Sequence, residues 1–132
     1  MEGTSLNSRD AALALGRVLA DHKGGEVVVL DVGARAGWTD FFVIATATSS
    51  THLRGLARFV DEALGPLGLG RLNKAQVADD DEWILVDLGT VVVHLMTERS
   101  RAFYELEKLW FESEATRIEA AALQRPETAG AL

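Results

Sequence analysis

Residues 82–96 read EWILVDLGTVVVHLM, and the reading of this stretch decides the fold. Two runs rich in β-branched and apolar residues, Trp83 to Asp87 and Val91 to Met96, flank Leu88-Gly89-Thr90. Gly89 can take the positive φ that a type I turn with a G1 bulge requires, so the stretch predicts a β-hairpin. Side chains alternate across a strand. Trp83 and Leu85 therefore share one side of the first strand, and Ile84 and Val86 the other. In the second strand Val91, Val93 and Leu95 alternate with Val92 and Met96. Both faces are apolar, which places the hairpin inside a sheet that needs cover on two sides.

Upstream, EVVVLD (Glu26 to Asp31) and FFVIATAT (Phe41 to Thr48) have the continuous apolar character of buried strands, with a GARAG loop (Gly33 to Gly37) between them. Ser8 to Lys23 carries Ala12, Leu15 and Leu19 at helical spacing, with Asn7 or Ser8 as its cap and Gly24-Gly25 as its stop. Thr48-Ser49-Ser50 supplies capping oxygens for a helix from about Thr51 to Leu64, whose Leu53, Leu56, Val60 and Leu64 form one stripe before Gly65-Pro66. A short strand near Gln76-Val77-Ala78 precedes the acidic turn Asp79 to Glu82. Downstream, Glu98 to Phe111 reads as a helix through Phe103, Leu106 and Trp110, with Lys108 set to pair with Glu105 or Glu112. The order α-β-β-α-β-β-β-α predicts an α/β class fold, a mixed β-sheet with helices packed on it rather than a doubly wound one. Residues 1–112 are expected to form a single domain. Residues 113–132, rich in Ala and Glu, are expected to be a C-terminal tail of frayed helix or disordered chain.

The chain has 132 residues, 48% hydrophobic and 25% charged, with no cysteine and a net charge of -7. Absence of cysteine removes disulfides and thiolate metal sites, and no stretch approaches the run of about 20 apolar residues that crosses a bilayer. With no leader-like N-terminus, a cytoplasmic location is expected. An acidic chain is poorly suited to gripping phosphates, since nucleic-acid affinity comes from Lys and Arg displacing counterions. A basic protein partner suits it better. Its helices can hardly cover both faces of so apolar a sheet, so one face near the hairpin is a candidate partner surface. The candidate binding residues are Trp83, Asp87, Leu88, Met96, Tyr104, Lys108 and Trp110. Rigid aromatics bury large area at low entropic cost, Asp87 suits a Lys or Arg of the partner, and Leu88 and Met96 suit gaps at the rim.

An enzymatic alternative rests on Asp31, Asp40, Thr48, Ser49, Ser50 and His52, a set that could handle a nucleotide or phosphate group: hydroxyls and free amides at a helix start hold anions, and strand-end carboxylates hold Mg2+. Against it, the chain has no GxxxxGK[ST] loop, no G-x-S-x-G elbow and no Gly-Ser pair followed by spaced aspartates. Helix capping is the ordinary role of Ser49 and Ser50. His94, mid-strand among valines, is expected to bond to a neighbour, and His22, His52 and His94 fall in no ligand spacing. Neither a metal nor a cofactor is expected.

Four strings in order, LDV (Leu30 to Val32), TDFFVIATATSSTHL (Thr39 to Leu53), EWILVDLGTVVVHLM and FYELEKLW (Phe103 to Trp110), closely resemble the Iojap and ribosomal silencing factor family. Local departures include Phe41-Phe42, Ala47, Thr51 and Thr90. The resemblance covers Val28 to Trp110 and leaves the Ala-rich tail outside. It implies a fold similar to nucleotidyltransferases without their catalytic motifs, and a non-enzymatic role. It further implies binding to the large ribosomal subunit through universal ribosomal protein L-fourteen, a steric block of small-subunit joining that lowers translation when nutrients are scarce, and a homodimer in solution.

Overall fold

A computed structural model describes residues 7–72, 76–79, 82–109 and 113–119. Helix α1 (Ser8–Asp21) starts where the Asn7 side chain accepts the Asp10 amide at 2.7 Å, and it buries Leu15 and Leu19 on the sheet. β1 (Gly25–Asp31) is followed by α2 (Gly33–Ala36), a single helical turn closed by Gly37 at φ 78, where a plain loop was expected. β2 (Phe41–Ala47) is buried along its whole length and leads into α3 (Ser50–Leu64). There the Ser49 hydroxyl accepts the His52 amide at 3.0 Å, so the predicted cap holds. After β3 (Gln76–Asp79) come β4 (Trp83–Asp87) and β5 (Val91–Thr97). Gly89 between them sits at φ 94, and the Leu88 amide donates to the Val91 carbonyl at 2.9 Å, which closes the predicted hairpin.

Among the described residues the strands form one sheet of six, in the order β3-β4-β5-β2-β1-β6. β2 and β5 run parallel, from Phe41 beside Val91 to Ala47 beside Thr97, while the other pairs are antiparallel. The sheet is therefore mixed, as the element order implies. α1 and α3 cover one face, where their leucines meet Val27, Val29, Val43, Ala45, Ile84, Val86, Val93 and Leu95. On the opposite face a second core gathers Val28, Leu30, Val32, Phe42, Ile44, Val92, Met96 and Leu106.

Two expectations fail in the last third of the chain. The helix expected from Glu98 to Phe111 breaks into α4 (Glu98–Tyr104) and α5 (Leu106–Leu109). Glu105 between them adopts φ 51, a left-handed conformation that ends one helix and shifts the phase of the next turn. Phe103 and Leu106 consequently lie on different sides: Leu106 is buried and Phe103 is exposed. The tail, expected to be frayed helix or disordered over residues 113–132, contributes in its described part β6 (Glu114–Ile118), which pairs with β1 from Val27 beside Ile118 to Asp31 beside Glu114, while residues 120–132 lie outside the described residues. Its EATRI sequence has little strand propensity of its own, and the free edge of β1 supplies the hydrogen bonds that make it a strand. Gly16 of α1 lets this strand in close, since a Cβ there would stand 3.1 Å from Ile118 Cγ1.

Candidate functional site

The second sheet face carries a row of rings. Trp83, half-buried at the start of β4, packs on Tyr104 of α4 with ring centroids 4.6 Å apart, and Tyr104 meets Phe103 edge-on at 4.9 Å. On the other side His94 of β5 stands edge-on to Phe42 of β2 at 4.6 Å, and Phe42 touches Trp38 at 6.0 Å. Exposure rises toward the ends of the row: Tyr104 is 38% exposed, Trp38 62% and Phe103 76%. So much aromatic surface left in water is the usual mark of an anchor for a partner.

One buried polar contact sets the row. The Trp83 Nε1–H donates to His94 Nδ1 at 3.2 Å, which leaves the imidazole proton on Nε2. That Nε2 is buried and has no hydrogen-bond partner among the described residues. Burial lowers the His94 pKa to about 4, so the ring is a neutral acceptor that orients the indole. This is the neighbour-bonded role expected of His94. Below Trp83, the Glu82 carboxylate takes hydrogen bonds from Arg99 and from the Thr97 hydroxyl, tying the start of β4 to the junction of β5 and α4. The Arg99 bond holds the Glu82 carboxyl below the usual range.

Of the residues expected at the partner surface, the structure brings Trp83 and Tyr104 together. Met96, expected to fill a gap at the rim, is instead fully buried in the second core, across the β4–β5 pairing from Trp83. Leu88 packs on the first core, away from the aromatic row, because it lies in the turn rather than in phase with Trp83. Asp87 shares the face of Trp83, but its Oδ1 accepts the Gly89 amide at 2.9 Å and so serves the turn. Lys108 is exposed with Nζ 3.4 Å from Glu105, the first of its two expected pairings. Trp110 lies outside the described residues. Sequence reasoning missed Trp38 and Phe103. Trp38 could have been noticed as a large aromatic in a polar loop, and Phe103 as one of two adjacent aromatics that cannot both face a core.

The cluster weighed as catalytic does not assemble. Asp31 and Asp40 lie at the start of β2, whereas Thr48, Ser49, Ser50 and His52 lie past its end, seven residues or roughly 20 Å along the strand. His52 is occupied with structure: Nδ1 accepts the Thr48 amide at 3.0 Å, and Nε2 faces the His22 carbonyl at 3.2 Å. Among the described residues, no group of three or more His, Asp or Glu side chains is placed to hold a metal ion, and no helix is long and apolar enough to cross a membrane.

Residues 5–131 match the family model for the ribosomal silencing factor during starvation, a match that runs through the tail which the four motifs left outside. The chain is 38% identical over 106 residues to the ribosomal silencing factor of Treponema pallidum, which spans 80% of this chain and 94% of that protein. It is 32% identical over 112 residues to the mouse mitochondrial assembly of ribosomal large subunit protein 1, spanning 80% of this chain and 49% of that one. Its fold is similar to a crystal structure from Chromobacterium violaceum, with a TM-score of 0.75 at 27% identity over 88% of this chain and 97% of that chain. The sheet, its two unequal faces and these relatives lead to one assignment: the chain belongs to the ribosomal silencing factor family, which ties it to the ribosome and to the regulation of translation.

Proposed function

We propose that the chain binds the large ribosomal subunit by laying the Trp83, Tyr104 and Phe103 face on a basic protein of the intersubunit surface, and that it thereby keeps the small subunit from joining. Ribosomal protein L-fourteen is the partner the family resemblance implies. One observation carries the reading: a graded row of rings, from half-buried Trp83 to Phe103 at 76% exposure, rises from a sheet face that α1 and α3 do not cover. The net charge of -7 favours a cationic partner and speeds the encounter with it. The mouse relative is named for assembly of the large subunit, which agrees with that subunit as the target.

The test is co-sedimentation with purified large subunits, paired with inhibition of a translation extract. The double variant Phe103→Ala/Tyr104→Ala should bind at least about tenfold more weakly, since exposed anchor aromatics commonly contribute more than about 1 kcal/mol each. Its melting temperature should stay close to that of the parent, because both rings are exposed. Parental binding by the double variant moves the docking face elsewhere. Sedimentation of the free chain in the same experiment reads the homodimer that the resemblance implies.

A further inference from the structure

The bend at Glu105 is built against the local preference of the chain. FYELEKLW spaces its apolar residues for one continuous helix, and a non-glycine residue at φ 51 costs free energy that an unbroken helix does not. Phe103 and Leu106 are three residues apart, so an unbroken helix that buries Leu106 in the second core turns Phe103 toward the same sheet. With the bend, Leu106 is 8% exposed and Phe103 76%. An interaction outside the local sequence must hold the chain in the bent form.

A side-chain clasp spans the bend. Arg101 of α4 is buried and directs Nε and Nη2 to the two carboxylate oxygens of Glu107 in α5, at 3.2 and 2.6 Å. Its Nη1 donates to Thr46 Oγ1 at 2.7 Å and to the Gly25 carbonyl at 3.4 Å, which fastens the guanidinium to the end of the sheet where β1 begins and β2 stops. Residues six apart lie about 120° apart around an α-helix, so Arg101 and Glu107 meet fork to fork only because the chain turns between them. The hydrogen bond from Arg101 keeps the Glu107 carboxyl below its ordinary range, so the clasp is ionised. The second ion pair at the bend, Lys108 with Glu105 at 3.4 Å, is exposed and adds little.

We propose that the Arg101–Glu107 clasp positions the docking face: it selects the bent form over a continuous α4–α5 helix, and only the bent form presents Phe103 and Tyr104 to a partner. This rests on the reading of that face as the ribosome-binding surface. Arg101 and Glu107 are positioning residues, since neither belongs to the row of rings and both act on it through the backbone at Glu105.

The experiment is co-sedimentation of the 132-residue chain with purified large subunits, for Glu107→Ala alone and for Glu107→Ala combined with either Glu105→Gly or Ala102→Gly. Loss of the clasp should weaken binding about fivefold, as the bent population falls. Glu105→Gly removes the Cβ penalty of the left-handed conformation, a shift of at least about fivefold toward the bend, and should return the Glu107→Ala chain to within about twofold of the parent. Ala102 is exposed inside α4, so Ala102→Gly loosens the helix without favouring the bend and should give no rescue. On its own, Glu105→Gly should raise the melting temperature. Glu107→Gln, which keeps one acceptor oxygen, should show a smaller loss that Glu105→Gly again repairs, and it carries the test if Glu107→Ala melts too low. Parental binding by both Glu107 variants, or equal rescue by Ala102→Gly and Glu105→Gly, overturns the proposal while Phe103→Ala/Tyr104→Ala still loses binding. Parental binding by that double variant overturns the docking reading and this proposal together.

Discussion

His94 is neutral in the fold and would be largely protonated in an unfolded chain at mildly acidic pH. Its pKa falls from 6.5 to about 4 because burial penalises the charged ring. A depressed folded pKa means that its stabilising effect is complete above pH 6.5 and is lost as pH falls toward 4. The loss should reach about 3 kcal/mol, read as the difference between the parent and His94→Asn in denaturant unfolding across that interval. Parallel pH profiles for the two proteins would show that the ring does not titrate as described. Arg101 is the other costly buried side chain, with only 9% of it exposed against 36% for Glu107. Arg101→Ala leaves the buried Thr46 hydroxyl without its donor while water can reach the partly exposed Glu107 carboxylate, and should cost about 1–3 kcal/mol in urea unfolding. The place of Trp83 on the second sheet face was legible because strand alternation puts it on a definite side. Arg101 was not, because nothing in ERSRAFY separates an arginine that reaches back to Thr46 from one in water.

The hairpin was the most legible element, since its turn chemistry and its alternation agree. Gly89 carries that agreement: at φ 94 an alanine is strained, and its Cβ would come 3.4 Å from Leu72 Cδ1. Gly89→Ala should lower stability by about 1–2 kcal/mol, measured as a shift in the urea midpoint at unchanged slope. The single turn of α2, the kink at Glu105 and the strand β6 were illegible for a shared reason. Each is imposed by what surrounds it rather than by local preference. FYELEKLW has a helical spacing throughout, yet the chain leaves the helix at Glu105 so that Leu106 can bury on Val28, Leu30 and Met96. The candidate site suffers most from this kink, because Phe103 owes its exposure to it.

The whole molecule has one sheet face fully roofed by two long amphipathic helices and another covered, among the described residues, by short turns and by rings that stay partly wet. The apolar alternation at residues 82–96 disclosed that imbalance, but it could not say which residues would stand at the rim. The strand order has a further consequence for biosynthesis. β1 enters the sheet early in the chain, yet its outer edge is sealed by β6, whose last residue is Ile118. A nascent polypeptide halted at Ser113 therefore bears an open row of amides and carbonyls beside Val27 and Val29, a template for pairing with any other extended chain. Expression of residues 1–113 should yield aggregates, scored by pelleting and light scattering, where residues 1–132 stay dispersed. Of the described strands the one that closes that seam is made last, and until it docks the newborn protein needs shelter from its siblings.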